Sequence, residues 1–248
     1  MPITHTTIDA ASVITIDMPE ILNALNREDA FELIELALEA EANTETTAIV
    51  LTGNGAFSAG GNIHVLLELA RSSKEEIRAY IHDAFQELMR VLVRLSKPTI
   101  AAVGGPAVGV GFDLALACDV RFVSDDGWFQ QGWGRVGLVP GTGQELLLRR
   151  LAPTLLWDIL DGRKVLADEA NARGLAIHVS GSSLDGAIEM ARRLSRLPGN
   201  TLAAYCSLHR RELQDGLEAH MERALELQYA LLTSEEFQHR ALAALNRK

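Results

Sequence analysis

The chain has 248 residues, enough for one large domain with a substantial core, and 48% hydrophobic against 23% charged residues argue for a folded globular protein. Lysine and arginine number 23 against 33 aspartate and glutamate, a formal charge of -10 that argues against a general nucleic-acid-binding surface; an anionic ligand would need local basic help. The uncharged stretch at residues 98–112 is broken by Pro106 and several glycines and is too short to span a bilayer, so no membrane role is expected.

The first ten residues, MPITHTTIDA, lack a basic start and an apolar core, which predicts no signal or transit peptide and a cytoplasmic location. Residues 4–8 and 13–16 alternate apolar and polar side chains around Asp9–Ser12, the pattern of a hairpin. Asn26 is placed to cap a helix in which Phe31, Ile34 and Leu38 recur at helical spacing. The β-branched run at 48–51 stops at Gly53-Asn54-Gly55 and reads as a buried strand followed by a loop. Helix resumes near Asn62 and again over 74–95, where Lys97-Pro98 ends it before a second buried strand at 99–103.

Glycines 104, 105, 109 and 111 then form a turn ahead of a short apolar helix at 112–118, and residues 119–123 return to strand. Strand and helix alternate to this point, which predicts an α/β core with right-handed crossovers. Beyond Gly143 only residues 175–179 carry a strand signal, and 201–246 reads as consecutive amphipathic helices. The two cysteines, Cys118 and Cys206, lie in apolar surroundings with no partner at metal-ligand spacing and read as core residues; no metal site is visible.

Two glycine-rich turns, Ala56–Ile63 and Gly104–Asp113, each lie between a buried strand and a helix. Backbone N–H groups at the positive end of a helix dipole can hold an anion or a developing oxyanion. Taken alone, either is equally a tight turn that needs glycine. Together with Pro19–Leu25, Lys97–Val103, Cys118-Asp119-Val120 and the loop Gly137-Leu138-Val139-Pro140-Gly141-Thr142-Gly143, they resemble the crotonase superfamily of enoyl-CoA hydratases and isomerases. The likeness runs from the hairpin to about residue 180, and beyond it only the helical character agrees.

The resemblance implies a crotonase-like ββα spiral core at 1–190 and a helical C-terminal region at 191–248 that serves trimerisation and site closure. It implies a homotrimer or homohexamer, an acyl-CoA substrate and no cofactor, coenzyme A entering as the substrate's thioester. In the family, two backbone N–H groups hold the thioester oxygen of an enolate. On matching positions these are Ala59 and Val110, with Ala59, Gly60, Gly61, Asn62, Val110, Trp133 and Leu25 as substrate-binding residues. Val110 stands where glycine is usual, and Asn62 replaces the usual aspartate and can instead cap the next helix.

Asp113 falls where hydratases carry their first catalytic glutamate and a dienoyl-CoA isomerase subgroup an aspartate. From the residues alone it reads as a stabiliser of the helix N-terminus; the resemblance makes it the proton carrier, with a pKa raised by its apolar surroundings. The second hydratase glutamate maps to Trp133, which cannot transfer a proton and fits a pocket wall or a core aromatic alike. Some relatives carry an aspartate in the closing loop, where this chain has Gly141. With one carboxylate in place, double-bond isomerisation is favoured over hydration.

His64, Glu68 and Arg135 are further acid/base or ligand-pairing candidates, and Arg27 and Lys97 are candidates for the coenzyme A mouth. His82, His178, His209 and His220 read as solvated residues. Two other function classes compete. One is a noncatalytic acyl-CoA-binding protein. The other is a serine hydrolase in which Ser58, within a one-residue variant of the nucleophile elbow, acts with Asp161 and His178 or His209.

Overall fold

The computed structural model describes residues 2–245. β1 (Ile3–Ile8) and β2 (Ala11–Ile16) form the expected antiparallel hairpin, Ile8 facing Ala11 and Asp9 turning the chain at φ 50°. α1 (Arg27–Ala42) begins in a capping box: the Asn26 side chain accepts from the Asp29 N–H at 3.0 Å, and the Asp29 carboxylate accepts from the Asn26 N–H at 2.8 Å. β3 (Ala48–Gly53) follows, then α2 (Ile63–Leu69), capped by Asn62. A second capping box at Ser73 and Glu76 starts α3 (Lys74–Tyr80), which continues through a π-helical segment, Ile81–Gln86, into α4 (Glu87–Arg94).

β4 (Thr99–Val103) is buried at every position, as its run of apolar residues requires. Next come β5 (Pro106–Val108), α5 (Val110–Ala117), β6 (Val120–Ser124), β7 (Trp128–Gln130), α6 (Gln144–Leu151) and α7 (Leu155–Asp158). The chain ends in β8 (Lys164–Leu166), α8 (Ala167–Ala172), β9 (Ile177–Val179), α9 (Ser183–Leu194), α10 (Gly199–Leu232) and α11 (Glu235–Leu245). Asn246, the end of the expected helical stretch, lies outside the described residues.

The main sheet runs β1-β2-β3-β4-β6-β9, parallel except for the hairpin. A second sheet, β5-β7-β8, was not foreseen: its strands have three residues each, too short to show a period. α5 crosses between β4 and β6 and is buried along its whole length, so Asp113, its single ionisable residue, is carried into the interior. α10 is one helix of 34 residues. Arg210, buried on it, binds it to the core by donating to both Asp119 carboxylate oxygens, the Leu95 and Lys97 carbonyls and the Thr99 hydroxyl. Among the described residues no helix is long and apolar enough to cross a membrane.

Candidate active site

The two glycine turns lie against each other. The Ser58 N–H donates to the Pro106 carbonyl at 3.0 Å and the Val108 N–H to the Ser58 carbonyl at 2.9 Å, a strand-like bridge between them. Gly60, at φ 87°, lets the backbones meet: a Cβ there would stand 2.5 Å from the Val108 carbonyl oxygen and 3.1 Å from the Val110 nitrogen. Any side chain would force the turns apart.

Which N–H groups remain available is a matter of accounting. The Ala59 N–H donates to the Leu22 carbonyl at 2.9 Å, and the Gly60 N–H to the Ser58 hydroxyl at 3.1 Å. The Ala59 N–H is therefore engaged, which corrects the expectation that it would be one of two open donors. Gly61 and Val110 are different: neither N–H has a partner among the described residues, the Val110 one because it opens α5, where no preceding turn exists to accept it. Both residues line a cavity of about 420 Å³.

The same cavity is lined by Ala59, Asn62, His64 and Trp133, and α11 closes it with Leu245. Asp113 is one helical turn beyond Val110 but not on the cavity wall; it is 0% exposed. The Thr142 hydroxyl donates to its Oδ2 and the Gln144 Nε2 to its Oδ1. Burial pushes its pKa up to about 7 against the downward pull of these two donors. The Trp133 indole N–H, buried and short of a formed hydrogen bond, adds a weaker pull in the same direction, and Trp133 also lines the cavity.

The remaining expectations divide. Asn62 caps α2 by accepting from the His64 N–H at 3.0 Å while also lining the cavity. Leu25 does not line it: fully buried, it lends only its backbone, donating to the Gly60 carbonyl at 2.7 Å, and the lining from this segment is Ile21 and Ala24. Glu68 is exposed away from the wall. Arg135 does not pair with Asp113; it lines an adjoining cavity of about 830 Å³ that shares Val108, Gly132 and Val136 with the first.

Arg27 lies over the Phe31 ring at 5.3 Å, and the Lys97 ammonium donates to the Ala40 and Asn43 carbonyls at the end of α1, so Lys97 is structural. Ser58 is no hydrolase nucleophile: it is 0% exposed, and its hydroxyl donates to the Asn23 carbonyl at 2.7 Å. His178 is held by Asp125 at 2.7 Å and Asp168 at 2.9 Å. Thr142 and Gln144 were missed. Their only signal was a hydroxyl, Thr142, in the loop expected to close the site and an amide, Gln144, directly after it. Among the described residues no group of three His, Cys, Asp or Glu is placed to hold a metal ion.

A family model described as enoyl-CoA hydratase/isomerase matches residues 7–247. The 2,3-dehydroadipyl-CoA hydratase of Escherichia coli is 29% identical over 95% of this chain and 92% of its own. A Mycobacterium tuberculosis protein named a probable enoyl-CoA hydratase is 32% identical over 95% and 94%. Among solved structures, an enoyl-CoA hydratase/isomerase from Mycobacterium paratuberculosis superposes with a TM-score of 0.87 at 27% identity, covering 98% of both chains.

Proposed function

The chain belongs to the enoyl-CoA hydratase/isomerase family, and we propose that it moves the double bond of an unsaturated acyl-CoA through an enolate held by the Gly61 and Val110 N–H groups, with Asp113 as the proton carrier. The observation that carries this reading is the pair of unpartnered backbone donors on abutting turns at one cavity wall. Fixed donors in a site closed off from water stabilise a developing oxyanion by several kcal/mol, on the order of 3 for one donor.

Isomerisation of a β,γ-enoyl thioester needs one carboxylate. Asp113 takes a proton from the α-carbon, the thioester oxygen gains the negative charge, and the carboxylic acid returns the proton to the γ-carbon as the enolate collapses. A group titrating at about 7 gives and takes a proton with similar ease near neutral pH. Hydration asks for a second group to activate water, and Trp133 stands where that group is expected. Asp113 is buried off the cavity wall, so in this reading side chains of the wall must shift for the acyl chain to reach it.

The burial of Asp113 also favours a second reading, a noncatalytic binder of CoA thioesters. Incubation with 3-pentenoyl-CoA separates the two: a diene-free shift to the 2-enoyl thioester supports the isomerase, whereas tight binding with no shift supports the binder. The reading extends to location in the cytoplasm and to assembly as a trimer or a dimer of trimers. Trp157, Tyr205 and Leu208, exposed at 76%, 67% and 70%, are apolar surface that a second copy would cover. Elution as a monomer on gel filtration contradicts the assembly.

A further inference from the structure

We propose that Thr142 and Gln144 are positioning residues that hold the Asp113 carboxyl in one place through both of its protonation states. The inference rests on Asp113 being the proton carrier and adds what keeps it usable inside the core.

Each carboxyl oxygen has its own donor, the Thr142 hydroxyl on Oδ2 and the Gln144 amide on Oδ1, and both donors come from one short stretch at the start of α6. That stretch is fixed from outside. Gln86, fully buried in the π-helical segment, donates from Nε2 to the Gly141 carbonyl at 2.7 Å and to the Met221 carbonyl of α10 at 2.9 Å. Gly143, at φ 93°, packs so tightly on α10 that a Cβ would stand 3.1 Å from Leu217 Cδ1. The donors are thus clamped between two long helical elements rather than carried on a free loop.

The chemical type of the two partners matters. A lysine or arginine would lock Asp113 as a carboxylate. A hydroxyl and a primary amide each donate and accept. With Asp113 ionised, both donate to it, which leaves the Gln144 Oε1 buried without a partner. When Asp113 takes a proton, its new O–H can donate to the Thr142 oxygen, or to Gln144 once the amide turns over. The carboxyl therefore keeps a matched partner through the cycle, with at most a turn of the Gln144 amide in place.

The test uses Thr142→Val, Gln144→Met and the conservative Thr142→Ser, each compared with wild type by the pH profile of α-proton exchange on butyryl-CoA in deuterated water. Removing either donor is expected to lower kcat for exchange at least about tenfold and to move the lower limb of the profile to higher pH, because the carboxylate has lost a stabilising partner. KM should stay within about threefold, and Thr142→Ser should keep the wild-type profile. A thermal melt identifies any variant that fails to fold, and the Val/Ser pair at position 142 decides the matter if Gln144→Met does. Profiles of Thr142→Val and Gln144→Met that coincide with wild type overturn the inference. If Asp113→Asn abolishes exchange while those profiles coincide, the positioning role alone falls; if Asp113→Asn exchanges at the wild-type rate, the proton-carrier reading falls first.

Discussion

The α-carbon of Gly111 packs on the carbonyl of Ser58 so closely that a Cβ would stand 2.3 Å from the oxygen. This contact ties the first turn of α5 to the other glycine turn and so sets where the Val110 N–H stands relative to that of Gly61. Gly111→Ala must push one turn away, a strain of about 1–3 kcal/mol or more. Urea unfolding should show that loss together with a fall in turnover. Gly199→Ala, where a Cβ meets nothing within 4 Å, should leave both near wild type.

Arg210 and Asp119 form an ion pair whose side chains are 3% and 15% exposed. Removing the carboxylate leaves a buried guanidinium without its charge partner, so Asp119→Ala is expected to cost about 3–5 kcal/mol in urea unfolding. Since Arg210 also holds the Leu95 and Lys97 carbonyls, α10 should loosen first, visible as faster amide exchange along it.

The elevated Asp113 pKa has a consequence for stability. In the folded protein the proton is held up to about 7, whereas the ordinary aspartate value is 3.8. Between these values the folded state binds the extra proton, so stability falls as pH rises, by at most about 1.4 kcal/mol per pH unit. Asp113→Asn removes this titration. Its stability relative to wild type should therefore rise from about pH 5 to about pH 8; a constant difference contradicts the shift.

Trp133→Glu places a second carboxylate on the cavity wall near Asp113. Crotonyl-CoA hydration, followed by loss of the enoyl absorbance, should rise above wild type. Equal or lower hydration, or wild-type hydration already on the order of 10 per second, contradicts the view that the missing second carboxylate limits the reaction.

Much of the scaffold was legible because local chemistry fixes it: the Asn26 cap, the hairpin at Asp9, the buried runs of β3 and β4, and the strand–turn–helix units around both glycine turns. The proposed oxyanion donors were half legible. Val110 came from the family resemblance alone; the helix was expected from 112, and the structure starts it at Val110, whose N–H is unmet as in any first helical residue. Ala59 was misassigned because its N–H is taken by Leu22, a left-handed residue at φ 54° far back in the chain, which no local pattern reveals. The partners of Asp113 were hidden for the same reason: Thr142 and Gln144 reach it only through tertiary packing.

The most direct test of the central claim is the exchange of α-protons of butyryl-CoA into deuterated water by wild type and Asp113→Asn, with butyryl-CoA affinity measured alongside. If the Gly61 and Val110 N–H groups hold the enolate and Asp113 carries the proton, wild type exchanges. The variant should then lose exchange at least about a hundredfold, while its affinity stays within about tenfold, or 1.4 kcal/mol. Full exchange by Asp113→Asn, or none by wild type despite tight binding, contradicts it.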